Sequence, residues 1–230
     1  MSPSHVGMAE AFLLPSAVDF EVTVYEGPQL GTGTWRNSKW TEATRDKARS
    51  MVRAWHDCDD ADMFVWCDAD IVFTGPVIGP LRSNMTSLRD DGYPDMLFQQ
   101  ESRPDYVCSG FFCARRNERV LELLERVAKE PYPSGRGPSD QAILNKHKNI
   151  VRWDVLPNWQ YWTIGHIQKP RRRQVRNQLA NGNYGAILPH IPSDIRMYHA
   201  NFMEGVHRKC AALRAVRDSR WVRKPSISTE

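Results

Sequence analysis

The sequence lacks the marks of several specialised protein classes. Its five cysteines (Cys58, Cys67, Cys108, Cys113 and Cys210) are odd in number, scattered, and form no Cys-x-x-Cys pair. Neither a disulfide framework nor a zinc cage is indicated, and buried small hydrophobes are the better reading. No apolar run approaches the length needed to span a bilayer. The stretch nearest the start, Ala11 to Leu14, stops at Pro15, and no signal peptide or anchor is recognisable. Charge of one sign is also scarce, since 31 Lys and Arg against 27 Asp and Glu leave a net charge of only +4. That total does not indicate a nucleic-acid partner, whereas a small phosphate-bearing ligand fits it. Cytoplasmic residence is the default these absences set, with a lumenal fragment as the alternative. The one glycosylation sequon, Asn84-Met85-Thr86, is expected by chance in a chain this long.

What is present is an ordinary globular composition. The 230 residues are 41% hydrophobic and 25% charged, with a mean hydropathy of -0.56. Such a chain buries a sizeable core without staples. No repeat or linker divides it, so residues 1–230 read as one domain.

Val6 to Leu14 reads as a short helix ending before Pro15. Asp19 to Tyr25 reads as a strand, because Phe20, Val22 and Val24 alternate with polar neighbours. After a Gly/Thr-rich loop, Ala48, Met51, Val52 and Trp55 follow helical spacing behind a candidate N-cap, Thr41. Met63 to Cys67 is a five-residue apolar run bounded by acids, the pattern of a strand buried on both faces. Ile71 to Phe73, Met96 to Phe98 and Phe111 to Ala114 are further strand candidates. A helix capped by Asn117 carries the stripe Val120, Leu121, Leu124, Val127 and Ala128 and ends at Pro131, and Ser139 opens a shorter helix. Strands are expected again around Val151 to Leu156, Ala186 to Leu188 and Ile195 to Tyr198, then a last helix over Val206 to Val216. Alternating strands and helices predict an α/β sheet, mostly parallel in its first half. A helix at the very start leaves no strand before it, which fits a sheet lacking its first strand or a chain truncated at its N-terminus.

Three Asp-x-Asp triplets occur, and position separates them. Asp57-Cys58-Asp59 and Asp60-Ala61-Asp62 lie in a polar connection, where acids usually mean a solvated loop. Asp68-Ala69-Asp70 ends a buried strand, and open α/β sheets bind ligands beyond the carboxyl ends of their strands. Adjacent carboxylates repel one another, and a divalent cation removes the repulsion. A small set of hard oxygen ligands suits Mg²⁺ or Mn²⁺.

The stretch Phe64-Val65-Trp66-Cys67-Asp68-Ala69-Asp70-Ile71-Val72-Phe73 resembles the acid-motif strand of nucleotide-diphospho-sugar transferases of the GT-A fold. Cys108-Ser109-Gly110-Phe111-Phe112, Ser139-Asp140-Gln141-Ala142-Ile143-Leu144 and Tyr198-His199-Ala200-Asn201-Phe202, then Gly205 and Lys209, follow in that family's order. The similarity runs from about Phe20 to Trp221, and its specificity lies in order and spacing. It implies a Rossmann-related, mixed and mostly parallel sheet flanked by helices. Asp68, Asp70 and His199 would hold the cation, the histidine favouring Mn²⁺ over Mg²⁺. Lys209 would grip the diphosphate and Lys47 would face the nucleotide. Ser109 and Gly110 would admit the sugar, and Gln141 would touch it or the acceptor. If the reaction inverts, Asp140 is one candidate base for the acceptor hydroxyl, whereas a retaining reaction needs none, and the sequence leaves the two open.

Each of these has a plainer alternative: a satisfied core histidine, solvated lysines, a strand-start glycine, an aspartate on a helix dipole. Trp159, Tyr161 and Trp162 read as a sugar-stacking wall or as core. Gln168 to Arg173, with Arg176, reads as a solvated loop or a site for anionic acceptors or a membrane surface. GT-A enzymes hold the nucleotide base with their first strand, which Met1 to Ser4 cannot supply. The leading function is a metal-dependent transfer of a sugar from a nucleotide-diphosphate donor to a hydroxyl acceptor such as a glycan. A non-catalytic nucleotide- or glycan-binding remnant of the fold is the second reading, and a metal-dependent phosphohydrolase or nuclease the third.

Overall fold

Among the described residues, seven short strands carry the architecture: β1 Met63–Cys67, β2 Ile71–Phe73, β3 Met96–Gln100, β4 Val107–Arg115, β5 Trp153–Val155, β6 Tyr161–Thr163 and β7 Met197–His199. They form a four-stranded sheet in the order β1-β4-β3-β5 and a three-stranded sheet in the order β2-β7-β6. The structure is a computed structural model that describes residues 2–28, 39–59, 61–90, 92–130 and 139–221. The Gly/Thr-rich loop after Tyr25, Asp60 and Pro131 lie outside the described residues.

Helices flank both sheets, so the mixed α/β class expected from the sequence is found. The mostly parallel pairing is not. β4 runs antiparallel to both β1 and β3, and β2 to β7, while only β3 with β5 and β6 with β7 are parallel. For the β3–β4 pair the cause is connection length. Parallel neighbours need a crossover of a dozen or more residues, and the short link from β3 to β4, residues 101–106, permits only a hairpin-like return.

The strand expected over Asp19 to Tyr25 is also absent. Residues 21–28 have no regular structure, and among the described residues no backbone hydrogen bond ties them to β1. The segment is held by its rings instead, Phe20 against Phe73 at 5.3 Å and Tyr25 stacked on Trp66 at 6.3 Å. Val22 and Val24 stay exposed. Alternation marks a strand only when a neighbour is there to pair with it. β1 itself, apolar on both faces, ends as the edge of its sheet, with Phe64 turned toward one core cluster and Met63 and Val65 packed against another.

The N-terminal helix comprises α1 Pro3–Met8, a π-turn over Ala9–Leu13 and α2 Leu14–Ser16. Pro15 therefore does not end it. The wider π-turn just before removes the backbone clash and the donor requirement that proline would violate. α3 spans Trp40–Asp57 and buries Ala48, Met51 and Ala54; Thr41 lies inside it rather than capping it. α4 is Ile78–Met85 and α5 is Glu118–Lys129, where Asn117 accepts a hydrogen bond from the Val120 N–H as expected. α5 buries Val120, Leu123, Leu124 and Val127. At roughly 1.5–3 kcal/mol per buried aliphatic side chain, that face outweighs the surface pairs Arg126–Glu122 and Lys129–Glu125, which contribute roughly 0.3–0.5 kcal/mol each.

α6 is Asp140–His147. Ser139 sits at its N-cap position without a side-chain capping bond. The Arg171 to Arg173 run, expected in a loop, is part of helix α7 Lys169–Ala180. The expected strand at Ala186 to Leu188 is a turn of 3₁₀-helix, Tyr184–His190. α8 Val206–Trp221 closes the chain's described part. Tyr161 and Trp162 are core, stacked on Phe111 and packed against Tyr198, which leaves Trp159 as the exposed ring of the supposed wall. No helix among the described residues is long and apolar enough to cross a membrane.

Asp95, just before β3, locks three elements together. Its buried carboxylate accepts hydrogen bonds from Asn117, Arg119 and the Arg152 backbone N–H. Burial pushes the carboxyl upward, but these donors outweigh it and pull it down to about 2. A depressed carboxyl stabilises the fold above its unfolded value and loses that contribution as pH falls through the folded one. The loss from pH 5 to below 2 is about 2 kcal/mol. Urea unfolding of Asp95→Asn and wild type is expected to show a gap at pH 6 that narrows as pH approaches 2. A gap independent of pH would mean that the charge of Asp95 contributes nothing.

Candidate functional site

The two sheets meet where β1 ends and β2 begins, and the Asp68-Ala69-Asp70 turn is that junction. The Asp68 N–H donates to the Gly110 carbonyl in β4 at 2.7 Å, and the Ala200 N–H donates to the Asp70 carbonyl at 2.9 Å. Because Ile71 pairs with His199 across β2 and β7, the histidine is delivered beside the acid pair from far along the chain. One ligand atom from each of Asp68, Asp70 and His199 lies within 4.8 Å of the others, in the one such grouping among the described residues.

Two lysines complete the cluster. Lys47, on α3, places its Nζ 2.9 Å from Asp68 Oδ2, 3.3 Å from Asp140 Oδ2 and 3.4 Å from Ser109 Oγ. Lys209, on α8, places its Nζ 2.7 Å from Asp70 Oδ2, and His199 Nε2 lies 3.3 Å from Asp70 Oδ1. Burial alone would push the Asp70 carboxyl up, but the charge of Lys209 and then His199 outweigh it and hold it well below the usual carboxylate range. Burial would likewise push the Lys47 ammonium down, and Asp140 and Asp68 raise it above its ordinary value instead. Three carboxylates thus face two ammonium groups.

Gly110 forms the floor. A Cβ built there would stand 2.5 Å from Asp68 Oδ2 and 2.6 Å from His199 Cε1, so the close approach of backbone to both side chains requires glycine. Gln141 Oε1 accepts from the Ser109 N–H at 3.2 Å, tying α6 to β4. Every site residue expected from the sequence (Lys47, Asp68, Asp70, Ser109, Gly110, Asp140, Gln141, His199 and Lys209) lines one cavity of about 1370 Å³.

The residues suit a divalent cation. His199 is 1% exposed, yet its Nε2 has no hydrogen-bond partner. It lies 3.3 Å from Asp70 Oδ1, an ion pair when the ring is protonated, and in the neutral ring with its proton on Nδ1 it would turn a lone pair to a cation instead. A cation bonded at about 2.1 Å to three atoms holds them within about 4.2 Å of one another, which the present spacing reaches with a small adjustment. One nitrogen and two carboxylates suit Mn²⁺ better than Mg²⁺.

Sequence reasoning missed Gln99 and Glu101, both buried at the end of β3. Glu101 accepts from Asn201 Nδ2 at 3.0 Å and lines the cavity, and burial raises its carboxyl. The signal that singled out Asp68-Ala69-Asp70, polar residues directly after an apolar strand, was present at Met96-Leu97-Phe98-Gln99-Gln100-Glu101 as well. His5 of α1 also reaches the cavity, its Nδ1 held by Ser2 Oγ at 2.8 Å.

No protein-family model matches the chain, and no curated protein matches it in sequence. Among solved structures it is similar to the crystal structure of a glycosyltransferase involved in the glycosylation of the major capsid of PBCV-1. The two share 11% identity at a TM-score of 0.56, over 89% of this chain and 90% of that one. The likeness is one of fold. The chain therefore has a glycosyltransferase-like α/β fold, and the acid-histidine cluster stands on it.

Proposed function

We propose that the chain is a metal-dependent glycosyltransferase of the GT-A type that moves a sugar from a nucleotide-diphosphate donor to a hydroxyl acceptor. The observation that carries this reading is the convergence of Asp68, Asp70 and His199 with two lysines in one cavity, on a glycosyltransferase-like fold. Asp68, Asp70 and His199 would hold Mn²⁺ or Mg²⁺, which supplies Lewis-acid stabilisation of the charge that develops on a departing diphosphate.

The chain's own groups do the rest. Lys209 and Lys47 add positive charge on either side of the acid pair and orient the diphosphate oxygens. Gly110 lets β4 pass close against Asp68 and His199, and Ser109 and Gln141 beside it would bond the hydroxyls of a donor sugar. Asp140, at the first turn of α6 and 3.3 Å from Lys47, would contact the sugar or, in an inverting reaction, take the acceptor's proton. The two-metal phosphohydrolase reading lacks support, since Asp57, Asp59 and Asp62 lie at the far end of β1 and one ligand grouping is found among the described residues.

Thermal unfolding with a panel of nucleoside diphosphates, with Mn²⁺ or with chelator, tests the proposal. A ligand at a hundredfold its dissociation constant adds about 2.7 kcal/mol, or roughly 5–10 °C at this chain length. A rise with one nucleotide that vanishes in chelator is expected. No rise with any nucleotide, in folded protein, would move the balance to a remnant without a donor site.

A further inference from the structure

The geometry points to Gln99 as the positioning residue that sets which nitrogen of His199 is offered to the cation. The inference rests on the cation reading above and adds a residue that no motif in the sequence marked. Gln99 is fully buried at the end of β3. Its Nε2 donates to the Tyr161 carbonyl at 3.4 Å, which fixes the amide's orientation. Its Oε1 is then turned to His199, 2.7 Å from Nδ1.

An amide oxygen carries no proton, so Nδ1–H must donate in that bond. The neutral ring therefore has its proton on Nδ1 and its lone pair on Nε2, the atom that faces Asp70 and has no hydrogen-bond partner. The other group near Nδ1, the Cys108 thiol, is at 3.9 Å, much farther than the 2.7 Å of Gln99 Oε1. A metal-ligating histidine usually has its second nitrogen held in this way, and loss of the holder typically weakens metal binding 10–100-fold. β3 thus controls a site whose ligands come from β7 and the β1–β2 turn. Without Gln99 the ring could protonate on Nε2, and the lone pair would then face away from the acids.

Two measurements test this. Long-range ¹H–¹⁵N NMR on metal-free wild type at pH 8, with His199→Gln to assign the signal, is expected to show a protonated Nδ1 and an unprotonated Nε2. The reverse tautomer overturns the inference, whatever the variants do. Mn²⁺ titrations followed by the electron paramagnetic resonance signal of the free ion form the second arm. Gln99→Leu is expected to weaken binding 10–100-fold, whereas Gln99→Glu, which keeps an acceptor on Nδ1, retains it. A folded Gln99→Leu with wild-type affinity overturns the role of Gln99 and leaves the cation site standing. Wild type that binds no Mn²⁺ overturns the cation reading instead. If Gln99→Leu does not fold, the tautomer and the Gln99→Glu titration decide.

Discussion

Asp70→Asn is expected to abolish cation-dependent nucleotide binding and to lower sugar transfer at least a thousandfold, about 4 kcal/mol of transition-state stabilisation. The substitution keeps the side chain's shape and removes its charge, so the effect isolates what the carboxylate does. Asp70 faces two side chains besides the proposed cation. Lys209 Nζ at 2.7 Å and His199 Nε2 at 3.3 Å converge on its oxygens in a buried setting. Taking one member out of a buried charge pair costs roughly 3–5 kcal/mol because the other is left uncompensated, and Lys209 is left so here. A fall in stability without ligand should accompany the lost binding, and titrations belong well below the variant's melting temperature. Asp68, more exposed and paired with Lys47, should give the smaller stability loss when changed to Asn. Mn²⁺ affinity near that of wild type in folded Asp70→Asn would remove this residue from the ligand set, and the metal-dependent reading with it.

How much of this was legible before the fold was known follows from what each feature depends on. The residues that line the candidate site were legible because a buried strand announces itself by its apolar run, and ligands of open α/β sheets gather where such runs end. Asp68 and Asp70 follow Met63 to Cys67, and His199 follows Met197 and Tyr198. Gln99 and Glu101 obeyed the same logic and were passed over because amides and single acids carry no familiar motif. The pairing direction was not legible, since it is decided by where β4 returns and not by any strand's own pattern. The Asp19 to Tyr25 segment shows the same dependence from the other side. Its alternation is that of a strand, yet neither sheet among the described residues includes it. α7 was missed for a different reason. Its buried residues are Val175 and Leu179 alone, too few among arginines for a visible stripe, and Pro170 reads as a breaker although it sits harmlessly in the first turn.

Gly110→Ala is expected to spare the fold and cripple the site, lowering Mn²⁺ affinity about a hundredfold, comparable to losing a ligand's orientation. The added methyl would lie 2.5 Å from an oxygen of Asp68 and 2.6 Å from His199 Cε1, distances that real Cβ contacts do not show. One of the two must yield. His199 is 1% exposed and held through Nδ1, so it has little room. Asp68 is half-buried and tethered only by Lys47, and it is the side chain that should swing away. Overpacking of this kind costs typically 1–3 kcal/mol, which a chain of this size tolerates. A control separates the site effect from the general effect of adding a methyl. Gly79, in α4, has nothing within 4 Å of a built Cβ, and Gly79→Ala should be neutral or slightly stabilising with unchanged Mn²⁺ binding. Gly110→Ser tests the direction further, since a larger side chain should push Asp68 and His199 farther apart and weaken the cation more. If Gly110→Ala bound Mn²⁺ as wild type does but failed to use donor, the floor of the cavity would be assigned to the sugar alone. If it kept both, the approach of β4 to Asp68 and His199 would have no part in the chemistry, and the cluster would have to be rebuilt around some other contact.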